Sequence, residues 1–337
     1  MPVEGEPGAG PLSYQRFVRA KELTVQRAVT SLAQAKDLYW ICLAENPAFA
    51  PAWAWLGRCC WQLAKFRRGS FTDVELAVAA LRRAHALDPD LGCAHQFLTP
   101  IETDTGEARN AMVRLMHRLE KHPGEPETLA GLVQVLRFCG LLQESMNMND
   151  RAAELDPTMV TSIPHTLFLL GDYASTIETY SGRTGYYLDA AAWAAKGERI
   201  QAVTLLRKRL GHESLSNLMA GVMGSLLSVL EGRADDAVSQ MRDTDATREP
   251  EAMVYFARHY SYLRKKELAI QALKDATQAG FVCAPQTLRN DEWLADARGH
   301  SEFGDLLERS ENLTGHMRSI WKTATFTGNP TEQNGRN

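Results

Sequence analysis

The chain lacks most of the features by which a sequence announces chemistry or a membrane. Its longest uncharged run, Leu215 to Leu230, contains Asn217, Gly221 and Gly224 and falls short of the ~20 residues a bilayer span needs; it reads as a buried helix, with no membrane insertion. Neither sign of charge dominates: 37 Lys plus Arg stand against 41 Asp plus Glu, for a net charge of -4, so no nucleic-acid footprint is present. The short basic runs (Arg67-Arg68, Arg207-Lys208-Arg209, Arg264-Lys265-Lys266) fall where helices end, a position that favours cations. Six cysteines at 42, 59, 60, 93, 139 and 283 form no C-x-x-C pair. They read as small hydrophobes in a reducing, cytoplasmic protein. The start of the chain has no basic segment followed by an apolar one, which excludes a signal peptide; residues 1–11, acidic and rich in Gly and Pro, read as disordered.

Catalytic signatures are equally scarce. No G-x-x-x-x-G-K-[ST], H-E-x-x-H, G-x-S-x-G or kinase H-R-D set occurs. His117 and His122 are five apart and do not share a helix face. The acidic pairs Asp88/Asp90, Asp235-Asp236 and Asp243/Asp245 fall near turns or helix starts, where carboxylates cap amides. Adjacent Cys59 and Cys60 point about 100° apart on a helix, so one reads as core and the other as groove. Asn312-Leu313-Thr314 matches a glycosylation acceptor that a cytoplasmic address makes irrelevant. No catalytic, cofactor-binding or metal-binding residue is assigned, and the expectation is a protein that is not an enzyme.

What the sequence does contain is a period. Pro89, Pro123 and Pro157 follow one another at intervals of 34, and Gly106 and Gly140 keep the same interval. Each proline closes a stretch with helical apolar spacing, because proline lacks an amide hydrogen and disfavours helix at the residue before it. Ala111, Leu115, Arg118 and Leu119 make one such side, and Ser145, Ala152 and Pro157 repeat Ala111, Arg118 and Pro123. Upstream, Ala77, Leu81, Ala84 and Pro89 give A-x3-L-x2-A-x4-P, and Trp53, Leu56, Gly57 and Cys60 give W-x2-L-G-x2-C. Ala35, Tyr39, Cys42 and Pro47 form another copy, with the eight extra residues before Pro89 absorbed by a loop over 65–73 whose Asp73 caps the next helix.

These residues resemble the tetratricopeptide repeat, in which small residues let paired helices approach closely. The resemblance implies an all-α, right-handed α-α superhelix of about seven helix pairs. It extends over 12–320, with residues 158–200 irregular because Pro164 falls inside a first helix and the glycine spacing shortens. Residues 253–276 carry the last clear pair, 288–320 a capping segment, and 321–337 a disordered tail. The chain also resembles the repeat regions of bacterial multidomain signalling proteins, through Tyr14-Gln15-Arg16-Phe17, the segment 46–53, Leu87-Asp88-Pro89-Asp90-Leu91 and Trp293-Leu294. It lacks the kinase, cyclase or DNA-binding segment of that group.

The resemblance implies that first helices line a concave surface holding a peptide or protein partner. Positions off the packing stripe there are Arg58, Gln62, Gln96, Gln134, Arg137, Phe138, Arg258 and Tyr262; Arg, Tyr and Phe suit recognition at low entropic cost. The Lys and Asn clamp of chaperone-docking members is absent, with Ala54 and Pro100 at two of its positions. The leading expectation is a scaffold or adaptor. The alternative is a regulator sensing a small peptide or metabolite, and homo-oligomerisation is left open.

Overall fold

The computed structural model describes residues 11–26, 28–66, 71–180, 187–211, 215–244 and 249–325. Among them every regular element is helical and none is a strand. Close contacts group the chain into two compact units, one of residues 1–101 with 213–218, the other of residues 102–212 with 219–337. The expected disorder of residues 1–10 and 326–337, the Arg67-Arg68 run and Asp245 lie outside the described residues. The helical region reaches further out at both ends than the expected 12–320: Pro11 already belongs to the first helix, and 321–325 continue the last one, with Trp321 buried.

Unit 1 contains α1 (Pro11–Val25), α2 (Val29–Glu45), α3 (Ala50–Phe66), α4 (Phe71–Leu87) and most of α5 (Gly92–Asp104). Successive helices pack as hairpins, α1 on α2 and α3 on α4. The small-residue positions explain how close they come. A Cβ built on Gly57 would sit 2.6 Å from Leu81 Cγ and 3.0 Å from the Ala77 carbonyl oxygen, so only glycine lets α3 lie against α4. The period prolines stand just past the second helix of each pair, where the last amide has been used: Asn46 donates to Cys42, Asp88 to Ala84, His122 to Arg118 and Asp156 to Ala152. Asn46, Asp88 and Asp156 then accept a hydrogen bond from the amide two residues on, a local turn that lets the chain leave the helix with its polar groups satisfied. Asp73, the expected cap of α4, also meets α2. It lies within the first turn of α4, buried, where it accepts from Lys36 at 2.6 Å.

Unit 2 contains α6 (Ala108–Lys121), α7 (Pro126–Phe138), α8 (Leu142–Leu155), α9 (Ile163–Leu170), α10 (Tyr173–Thr179), α11 (Leu188–Ala195), α12 (Arg199–Leu210), α13 (Asn217–Leu230), α14 (Ala234–Asp243), α15 (Pro250–Tyr262) and α16 (Lys266–Gln278). After these come α17 (Pro285–Asn290), two 3-10 turns and α18 (Phe303–Thr325). Pro164 opens α9 rather than interrupting it, because the first helical positions need no amide donor. The irregular stretch is built of short helices of eight, seven and eight residues, and these bring Phe168 and Tyr187 against Tyr255 of α15.

The segment after α16 does not stop at the end of the stack. Val282 donates its amide to the Phe138 carbonyl of α7 at 2.8 Å, and Thr287 donates to the Leu169 carbonyl of α9 at 2.7 Å. α18 then packs on α6 and α17. Gly140 ends α7 at φ +74°, and a Cβ there would meet Thr314 Oγ1 of α18 at 2.6 Å. Where the turn after α16 returns, a Cβ on Gly280 would lie 2.4 Å from Gly106 Cα. Unit 2 is therefore a circuit of hairpins whose last turn meets its first.

Candidate interaction surface

The first helices of the two units put the same kinds of side chain to opposite uses. In unit 2, Arg137 of α7 is 2% exposed. Its Nε and Nη2 donate to Glu251 of α15 at 2.9 and 3.3 Å, and Nη1 donates to Ser162 Oγ at 2.9 Å. Burial alone would raise the Glu251 carboxyl, but the Arg137 charge and His165 hold it down at about 2. Phe138 is buried against Phe281, ring centres 4.9 Å apart. Arg258 of α15 is fully buried, its Nε donating to Asp291 Oδ2 at 2.5 Å. The guanidinium lies between the rings of Phe168 (4.4 Å) and Trp293 (5.2 Å). Among the described residues its Nη1 has no hydrogen-bond partner, and the ring faces and Asp291 offset the cost of drying the group.

His259 beside it shares hydrogen bonds with Tyr187 Oη at 2.8 Å and Ser225 Oγ at 3.1 Å. Burial, reinforced by the Arg258 charge, pushes its pKa down to about 3, so the ring is neutral and structural. Three of the sequence-predicted positions, Arg137, Phe138 and Arg258, thus sit in the interior of unit 2, covered by 281–294 or by α15 itself. Gln134 is half-buried and donates to Thr103 at 2.9 Å. Tyr262 is exposed, stacked on Trp293 at 4.4 Å.

In unit 1 several of the first-helix residues are more open among the described residues. Trp55, Arg58 and Gln96 are half-exposed, while Gln62 is buried. Arg58 places its guanidinium carbon 5.2 Å from the Trp55 ring and 4.6 Å from Phe97 of α5. Lys21 of α1, also half-exposed, lies 4.9 Å from the Trp55 ring of α3 and 5.5 Å from the Phe17 ring of its own helix. Arg58, Lys21 and Trp55 thus meet at a half-open surface across α1 and α3, with the buried Phe97 of α5 beneath Arg58. Lys21, Trp55 and Phe97 are absent from the sequence-predicted set. Trp55 was within reach of that reading, since it lies three residues before Arg58 on the same helix side; Lys21 was not, because nothing local ties α1 to α3.

Cys59 and Cys60 are both fully buried, so the expected groove position for one of them is corrected; burial pushes each thiol up to about 12. Among the described residues no group of three His, Cys, Asp or Glu side chains is placed to hold a metal, and no helix is long and apolar enough to cross a membrane.

No protein-family model matches the chain, and no curated protein matches it. Among solved structures it is similar to a chain of the APC/C hetero-tetramer Cut9-Hcn1, at 13% identity over 92% of this chain and 78% of that one, with a TM-score of 0.46. It is also similar to the TPR domain of P58(IPK), at 14% identity over 90% of this chain and 98% of that one, with a TM-score of 0.28. At these scores the description of the fold rests on the chain's own helix hairpins.

Proposed function

We propose that the chain is a non-enzymatic interaction scaffold that binds a protein or peptide segment on the first-helix face of unit 1. One observation carries this reading: Trp55, Arg58 and Lys21 meet at a half-open surface across α1 and α3, whereas Arg137, Phe138 and Arg258 of unit 2 are buried. Half-buried aromatic and guanidinium groups on rigid helices give contact area with little side-chain entropy to lose. Two buried carboxylates of unit 2 are held in ion pairs, Glu251 with Arg137 and Asp291 with Arg258. The six free cysteines fit a cytoplasmic setting.

Photo-crosslinking tests the assignment. A benzophenone side chain placed at Gln96 or Trp55 should capture partner protein from the native cell, whereas one at Ile200, 79% exposed in unit 2, should not. Capture from Ile200 alone, or substrate turnover by the isolated chain, would overturn the reading.

A further inference from the structure

A cleft of about 340 Å³ runs along one side of α18 in unit 2, bounded by the starts of α8 and α17, a size at the small end of ligand sites. Leu142, Ala284, Pro285 and Gly315 give it an apolar or bare lining. Thr314 stands in its wall, 4% exposed, and its hydroxyl has no hydrogen-bond partner among the described residues. A buried hydroxyl in that state calls for a partner from outside the fold. Gly315 also lacks a packing reason. Glycine weakens a helix interior, yet a Cβ built there meets nothing within 4 Å. Any larger side chain at this position would occupy the cleft.

Charge alternates around the rim. At one end Arg289 pairs with Glu311, and at the other Arg318 Nε donates to Glu144 Oε1 at 3.0 Å. Each arginine gives its carboxylate a single hydrogen bond, so both guanidiniums keep donors for a second acceptor. Exposed pairs of this kind are also cheap to reopen. A ligand of one sign gains from two of these groups and loses to the other two, whereas one carrying both signs gains from all of them.

Spacing sets the length of such a ligand. Glu311 and Arg318 are seven residues apart on α18, about 10 Å at the helical rise, which an extended chain covers in about three residues. The ends of the cleft differ. The amides of Leu142, Gln143 and Glu144 precede the first bond of α8, from Ser145 to Leu141, so the positive end of that helix lies at the Arg318 end.

We propose that the cleft binds an unblocked peptide of about three residues, its carboxylate at Arg318 and the first amides of α8, its ammonium at Glu311. The Thr314 hydroxyl bonds to the peptide's backbone between them. This site belongs to unit 2 and does not depend on partner binding by unit 1.

Ultrafiltration of the full-length chain with a synthetic mixture of unmodified tripeptides, read by mass spectrometry, tests it. A set of tripeptides should be retained. The best of them, measured by calorimetry, should weaken at least about tenfold when its amino end is acetylated or its carboxyl end amidated. Arg318→Gln, at an exposed position, should bind the free acid no better than the amide. Gly315→Leu should lose retention while its unfolding midpoint stays the same or rises, since leucine suits a helix and its Cβ meets no neighbour. Retention of no tripeptide, equal binding of the blocked forms, or undiminished retention by Gly315→Leu would overturn the proposal. So would a free amino acid that binds as tightly as the tripeptide, because it cannot reach both ends of the cleft.

Discussion

Arg58 and Arg258 occupy the same place in their repeats, five residues after Trp53 and Met253 and one after Gly57 and Ala257. Arg58 lies over Trp55 and Phe97 at a half-open surface, and Arg258 lies over Phe168 and Trp293 in a dry interior with Asp291. Both guanidiniums are stacked between aromatic rings. What separates them is the chain that follows: unit 2 supplies Asp291 and Trp293 from the segment after α16, and these bury the Arg258 guanidinium. Register therefore fixes which way a side chain points on its helix. Whether that direction is surface or core depends on what later sequence is laid across it.

The largest expected effect tests this contrast directly. Arg258→Ala leaves Asp291 buried without its cation and should cost about 3–5 kcal/mol, read as a fall in the urea midpoint at unchanged slope. Arg58→Ala should cost about 1 kcal/mol, the scale of a partly exposed cation over a ring. Equal losses would break the comparison. Replacing the pair together, as Arg258→Met with Asp291→Leu, should recover most of the loss, since a buried pair is seldom better than well-packed apolar groups.

Acid should act on the interior of unit 2. His259 is held near pKa 3 in the fold against 6.5 when free, and Glu251 near 2 against 4.5. In both cases the unfolded state takes up protons first, so stability is complete above the free values and is lost as pH falls through them. The slope should approach about 1.4 kcal/mol per pH unit below pH 6.5 from His259 alone and steepen below pH 4.5 as Glu251 joins. Unfolding measured across this range should show the first slope disappear in His259→Gln. Hydrogen exchange in acid should reach the amides of α15 before those of α3.

The turns give two smaller effects that sharpen the picture of unit 2. Gly140→Ala places a side chain at φ +74° and against Thr314 Oγ1 and Val282, and should cost about 1–2 kcal/mol, seen in the melting temperature. Arg264 is the reverse case, a non-glycine residue at φ 57° in the turn between α15 and α16. Arg264→Gly should raise stability by less than about 1 kcal/mol, because relief of the left-handed backbone is partly cancelled by the freer unfolded chain.

Local devices were legible in the sequence. The prolines after Asn46, Asp88, His122 and Asp156, the left-handed glycines at 106, 140, 171, 197 and 232, and the close packing at Gly57 all follow from what one residue can do within its own turn or pair. Pro164 was misplaced because a proline at the first helical position and one inside a helix look alike until the neighbouring amides are assigned. The interior of unit 2 was not legible at all. Arg137 meets Glu251 across 114 residues and Thr287 meets Leu169 across 118, and no periodicity reports contacts of that range. Of the positions expected to face a partner, Arg58 and Gln96 are half-exposed, whereas Gln62, Arg137, Phe138 and Arg258 are buried.

The meeting of Gly106 and Gly280 also bears on how such a protein could change over time. A stack of hairpins open at both ends can acquire another by duplication, since only nearest neighbours feel the newcomer. Unit 2 has given up that freedom: an extra pair anywhere from α6 to α16 would prise the two glycines apart and draw the inner segment off α7 and α9. Its number of hairpins is locked by the seam, so innovation there must come by residue replacement rather than by growth.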